Sequence, residues 1–212
     1  MVVTHPPAYG SALKLDQVSD YLGKVNVIIA DRGLRFSCTK FIAFIFLPER
    51  QLLLFNPETK RYIKGTHKDF MRLVRTREVD PASLSYRRTK EEKIGGIPAI
   101  KYNVMRRYGD GHVSLFREIW TTRSLKMSAA AQAMLEDTMS IPRGLGVPVK
   151  IVNKIPHELQ TLNTIKAMRC RVDKSTFVSP QGYQLVKSEV DLFVGAKDSK
   201  EIEDMLKDMT VD

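Results

Sequence analysis

The residues able to do chemistry in this chain are scattered. His157-Glu158-Leu159-Gln160-Thr161 opens like the helical zinc motif, in which two histidines four apart grip a metal beside a glutamate base. Thr161 stands where the second histidine is needed, and Pro156 starts a turn rather than a helix interior. His5, His67 and His112 have no cysteine or carboxylate partner at ligand spacing. Gly144-Leu145-Gly146 follows a predicted helix, whereas a phosphate-cradling loop follows a strand and opens a helix. No Gly-x-Ser-x-Gly elbow exists. Cys38 and Cys170 each fall on a predicted strand with apolar same-face neighbours and read as buried small hydrophobes. They can pair only if their strands are adjacent. No catalytic set, metal site or cofactor site assembles from spacing, so the expectation is a protein that is not an enzyme and carries no cofactor.

Composition narrows the class. The chain has 212 residues, 43% of them hydrophobic and 27% charged, which is a globular balance. No apolar run approaches the roughly 20 residues of a membrane-spanning helix. Lysine and arginine exceed aspartate and glutamate to give a formal charge of +10. The positive groups sit at Arg72, Arg75 and Arg77, at Arg87, Arg88, Lys90 and Lys93, at Arg106 and Arg107, and at Arg169 and Arg171. They are spread over many elements and interleaved with acids. That pattern reads as a solvated sheet face rather than a nucleic-acid footprint, which would combine them with base-reading or stacking side chains. Attraction to an anionic lipid surface fits the same charge.

The elements that must position these residues are mostly strands. Pro6-Pro7 and Gly10-Ser11 break a leading segment, and a short helix is expected near Leu13–Leu22. Alternation then predicts strands on either side of Asp31-Arg32-Gly33, with Gly33 supplying a positive φ to the turn. Phe41–Leu47 is a continuous apolar run and reads as a strand buried on both faces. Asn56-Pro57-Glu58-Thr59 is a turn, and Thr66 with Asp69 caps the first helix. Ile100, Tyr102 and Val104 share one face of a later strand, opposite Lys101, Asn103 and Arg107. A helix rich in alanine and methionine is expected over Ser128–Met139. Strands are predicted at Val149–Ile155, Leu162–Asp173 and Gln184–Val194, then a closing helix over 198–210. About ten strands joined by short hairpins describe one meandering antiparallel sheet.

Apolar side chains on these strands exceed what ordinary turns can cover. The Ala/Met helix is the natural cover for a concave sheet face, either as a plain core helix or as a soft lid, because methionine refits irregular apolar shapes.

Several segments together resemble the LolA-like group of lipoprotein carriers. They are Val27-Ile28-Ile29-Ala30-Asp31-Arg32-Gly33-Leu34-Arg35, then Leu52 to Tyr62 with its Asn-Pro-Glu-Thr-Lys turn, then Lys93 to Tyr102 with Gly95-Gly96. Glu118-Ile119-Trp120, the Ile141–Lys150 loop and Gly182-Tyr183 leading into Val186-Lys187-Ser188-Glu189 continue the series. The resemblance covers roughly residues 25–195 and is nearest to uncharacterised secreted members. It implies an α+β fold, with a strongly curved antiparallel sheet, an unclosed β-barrel of LolA/LolB type, wrapped over a few helices. The implied single domain divides into a leading segment or helix over 1–24, a half-barrel over 25–195 and the closing helix over 198–210.

The resemblance also implies a function. A periplasmic or secreted binding protein, its signal peptide removed, would hold a lipid, a lipoprotein acyl chain or an apolar peptide in the concavity. The expected apolar lining is Phe36, Phe44, Ile100, Tyr102, Val104, Trp120 and Met134. Arg35 is the nearest counterpart of the carriers' lid-locking arginine and would pair a polar headgroup. At each position an ordinary core role competes. The other reading is an interaction module with a self-filled core that meets a protein or anionic surface through its basic face.

Overall fold

The computed structural model describes residues 10–74, 80–154, 158–172, 174–187 and 189–193. They build one twelve-stranded sheet, antiparallel except at one edge, with three short helices. The strands are β1 (Gly10–Ser19), β2 (Gly23–Ala30), β3 (Gly33–Ser37), β4 (Ile42–Phe46), β5 (Gln51–Asn56) and β6 (Arg61–Thr66). After helix α1 (His67–Val74) come β7 (Leu84–Ile94), β8 (Ile97–Arg107) and β9 (Val113–Thr122). Helix α2 (Ala129–Thr138), β10 (Val147–Asn153), β11 (Leu159–Val172), β12 (Gln184–Leu185) and α3 (Glu189–Phe193) complete the chain. The order across the sheet is β12-β6-β5-β4-β3-β2-β1-β11-β10-β9-β8-β7. The two outermost strands do not pair, so the sheet is the expected unclosed half-barrel.

Register fixes which side chains share a face, because strand residues alternate sides and cross-strand partners point the same way. Leu15 faces Val27, Val27 faces Phe36, Phe36 faces Ala43, Ala43 faces Leu54 and Leu54 faces Ile63. On the other side of β1, Leu15 faces Ala167, and further along Leu162, Ile151, Ile119 and Tyr102 lie in line. This face carries the main core, and α2 packs on it through Ala131, Met134 and Leu135. Curvature has a local source. The pairings among β1 to β6 run without a shift, whereas every pairing from β1–β11 through β7–β8 contains one. Each inserted residue bends its strand and increases its twist. The hairpin between β7 and β8 thereby comes back against β11. A Cβ on Gly95 would lie 2.6 Å from the carbonyl oxygens of Thr164 and Ile165.

Local chemistry behaves as expected in several places. Asp69 Oδ2 accepts from the backbone N–H and hydroxyl of Thr66, and the Asp69 N–H donates to Thr66 Oγ1, which caps α1. Asn56 Oδ1 accepts from the Glu58 and Thr59 N–H groups in the turn before β6. β4 is buried on both faces and central, between β3 and β5.

Three expectations are corrected. Residues 10–19 form a strand, not a helix. Leu13, Leu15, Gln17 and Ser19 alternate inward, and two long neighbours saturate the backbone of β1 on both edges. Gln184–Val194 does not continue as a strand. β12 pairs with β6 over two residues, and Glu189–Phe193 turns into α3, whose Leu192 carbonyl accepts from Asn56 Nδ2 and Thr59 Oγ1. Gly33 does not have a positive φ. It is the first residue of β3, where a Cβ would approach the Ile45 carbonyl to 3.0 Å. The helix expected over 198–210 lies outside the described residues. Cys38, just past the end of β3, and Cys170, on β11, are both free, with β2 and β1 between those strands.

Candidate functional site

The site is the concave face and the helix across it. Ser128 Oγ accepts from the Ala131 N–H and starts α2 at the expected place. Ala131, Met134 and Leu135 then fall three and four residues apart, so one stripe meets the sheet. Ala131 and Met134 are 0% exposed. Phe36 of β3 and Met127, just before the helix, are partly buried against the same cluster. Beyond the end of α2, Met139, Ile141 and Leu145 pack with Val104, Ile119 and Ile151, so helix and following loop together cover the face.

Polar groups hold the far end of α2. Asp137 Oδ2 takes Arg50 Nη1 at 2.7 Å and Arg143 Nη2 at 2.5 Å. Thr138 Oγ1 donates to the Met134 carbonyl and lies 2.9 Å from Nε2 of His67, the first residue of α1. Glu136 is 2% exposed yet satisfied: its Oε1 accepts from Gln132 Nε2 and from the Gly144 and Gly146 N–H groups. Arg50 lies between β4 and β5, so the latch ties helix, sheet turn and loop together.

The residues expected to line one cavity are divided between two faces. Phe36, Ile100, Tyr102, Val104 and Met134 belong to the helix side. Phe44, Arg35 and Trp120 belong to the other, because each alternates with a residue on the helix side: Phe44 with Ala43 and Ile45, Arg35 with Leu34 and Phe36, Trp120 with Ile119. Phe44 is 1% exposed beneath Phe55 and Phe177. The Arg35 guanidinium lies 5.6 Å from the Phe44 ring, and its Nη1 donates to the Thr176 carbonyl. The segment carrying Thr176 and Phe177 thus seals the outer face at β3 and β4. It gave no warning in the sequence, since Phe177-Val178 is a two-residue apolar step in a polar stretch.

Trp120 is buried in a second cluster with Ile97, Ala99, Val149 and Val152, and it anchors a charged ladder on that side of β9. Its ring lies between the ammonium groups of Lys101 and Lys150 at 4.9 and 4.8 Å, and its Nε1–H donates to Glu92. That bond, with Lys90, holds the Glu92 carboxyl below the usual carboxylate range. Burial raises the Glu118 carboxyl, but hydrogen bonds from Lys101 and Lys154 outweigh it and leave it lowered. The Glu158 carboxylate raises the Lys154 ammonium against the effect of burial, and Glu118 adds to it. These groups satisfy one another. Among the described residues, no group of three or more histidine, cysteine or acidic side chains could hold a metal.

Sequence reasoning missed the latch. Its one signal was Glu136 and Asp137 in the last turn of α2, where the helix dipole disfavours negative charge. Acids there ask for cationic or N–H partners, and Arg50, Arg143, Gly144 and Gly146 supply them.

The described residues thus build an unclosed, almost wholly antiparallel half-barrel with α2 laid on one face. No protein-family model matches the sequence, and no curated protein matches it. Among solved structures, an uncharacterized conserved protein from Thermus thermophilus is similar over 84% of this chain and 90% of its own, at 15% identity and a TM-score of 0.47. The Mycobacterium tuberculosis lipoprotein LppX is similar over 74% and 85%, at 10% identity and a TM-score of 0.38. A LolA superfamily protein from Nitrosomonas europaea is similar over 84% and 93%, at 8% identity and a TM-score of 0.32. These likenesses are distant.

Proposed function

We propose that this protein is a non-enzymatic carrier that takes a lipid, a lipoprotein acyl chain or an apolar peptide between α2 and the concave face of its sheet. One observation carries the reading: a ten-residue helix packs on that face, with a small and flexible apolar stripe and a polar latch at its end. Lifting α2 gives up the burial of Met134 and Leu135, about 1.5–3 kcal/mol each. An acyl chain returns about 0.8 kcal/mol per buried CH₂, so one of ordinary length outweighs that loss. Phe36, Ile100, Tyr102, Val104 and Met134 would then line the ligand. Phe44, Trp120 and Arg35 would support the sheet from behind. The reading places the protein in the periplasm or outside the cell, with its signal peptide removed.

Native mass spectrometry of protein purified without detergent, before and after organic extraction, tests it. A bound mass that leaves on extraction, or uptake of added palmitate or lysolipid, is the expected result. A bare protein mass under both conditions would defeat the proposal. The burial of Ala131 and Met134 also favours a second reading, a self-filled module that binds a partner through charged surface. It predicts that bare mass, together with a salt-sensitive protein complex.

A further inference from the structure

The outer edge of β7 is the long free edge of the sheet, and among the described residues no strand pairs with it. Natural edges of this length are usually guarded by like charges or by a bulge that spoils pairing. β7 reads Tyr86-Arg87-Arg88-Thr89-Lys90-Glu91-Glu92-Lys93, and its charges are ordered rather than uniform. Arg87 and Arg88 precede the centre, and Glu91 and Glu92 follow it between Lys90 and Lys93.

We propose that β7 pairs antiparallel with β7 of a second copy of this chain, about a two-fold axis between Thr89 and Lys90, and so joins two sheets edge to edge. In that register Arg88 lies opposite Glu91 of the second copy, and Arg87 opposite its Glu92. Symmetry repeats both, which makes four attractive pairs among directly opposite residues, with the two Lys90 residues diagonal across the axis. A slip of one residue either way sets Lys90 against Lys90, or Arg88 against Lys90.

The bulge supplies the second argument. Arg87 and Glu92 are five apart and Arg88 and Glu91 three apart, so in a regular strand each pair would point to opposite faces. The register shift between Arg88 and Lys90 changes this. Arg87 faces with Asn103 and Glu92 with Ala99, both on the Trp120 side. Arg88 faces with Tyr102 and Glu91 with Ile100, both on the other side. The extra residue, Thr89, hydrogen-bonds back to the Lys101 carbonyl. It therefore brings each charge onto the same face as the opposite charge it would meet, and it lies beside the axis, opposite Lys90 of the second copy. Arg88 and Glu91 already pair within the chain, with side chains 59% and 70% exposed, so a second copy completes an alternating square of four charges.

Sedimentation velocity over a micromolar concentration series tests the proposal. The expected result is a mass that rises toward twice the monomer with concentration and falls back at high salt. Arg88→Glu and Glu91→Arg should each weaken association at least tenfold, and an equimolar mixture of the two should restore it as a heterodimer. Circular dichroism of each variant checks that the exposed substitutions leave the fold intact. A monomer at every concentration would overturn the proposal. So would self-association that neither reversal alters, because the contact would then use another surface.

Discussion

Glu118 is the residue on which the outer ladder turns. Its side chain is 13% exposed between Lys101 and Lys154, and it is the acid shared by both. Its folded-state pKa is lowered, so its contribution to stability is complete above the ordinary glutamate value and is lost as pH falls through the lowered one. Glu118→Gln should cost about 1–3 kcal/mol near neutral pH, because two cations lose their shared acceptor. The gap between variant and parent should close on acidification below about pH 4.5. Urea titrations at neutral and acid pH measure both statements; a gap that persists in acid would remove Glu118 from the ladder. Gly95 offers a second test. Its φ is +54°, and a Cβ would meet two carbonyl oxygens of β11, whereas Gly96 at +80° faces open space. Gly96→Ala should cost about 1–2 kcal/mol from backbone conformation alone. Gly95→Ala should cost clearly more, and equal melting temperatures for the two would show that the hairpin does not press on β11.

At the scale of elements, α2 separates stability from function. Asp137→Ala releases Arg50 and Arg143, both partly exposed, so the stability cost should stay within about 1 kcal/mol. If α2 is a lid, the same change should speed uptake of a fluorescent fatty acid in stopped flow. Met134→Ala should cost about 2–5 kcal/mol, since the side chain is wholly buried. An Asp137→Ala variant with unchanged uptake would mean that the latch does not control access. α2 was also the helix most legible from residue types. Ser128 as cap, an alanine run and apolar spacing of three and four are local signals. Residues 10–19 were not legible in that way. Leu13, Leu15 and Gln17 suit a strand or a short amphipathic helix, and only pairing with β2 and β11 decides between them.

For the whole molecule, β1 joins the two halves of the sheet. It pairs with β2 on one edge and on the other with β11, about a hundred and fifty residues away in the chain: Leu13 lies opposite Arg169. Such non-local pairing makes one cooperative unit rather than two. Trp120 fluorescence reports the β7–β10 half, and far-ultraviolet circular dichroism reports the whole sheet. The two should trace one urea transition, in the parent and in a destabilised Leu15→Ala variant alike. Separate transitions would show that the halves fold independently.

Much of this architecture was written in local patterns. Alternation marked most strands, Thr66 with Asp69 and Ser128 marked helix starts, and Gly95-Gly96 marked a hairpin, because each depends on backbone preferences within a few residues. The sides of the barrel were decided elsewhere. Phe44 and Phe36 look alike in sequence, yet they support opposite faces, since one residue of register reverses every side chain on a strand. The bulges that bend the sheet, the strap around Phe177 that seals its back, and the latch from Arg50 to Asp137 all join residues far apart in the chain. Local preference cannot specify such meetings; only the packed sheet, with its buried polar groups in need of partners, brings them together.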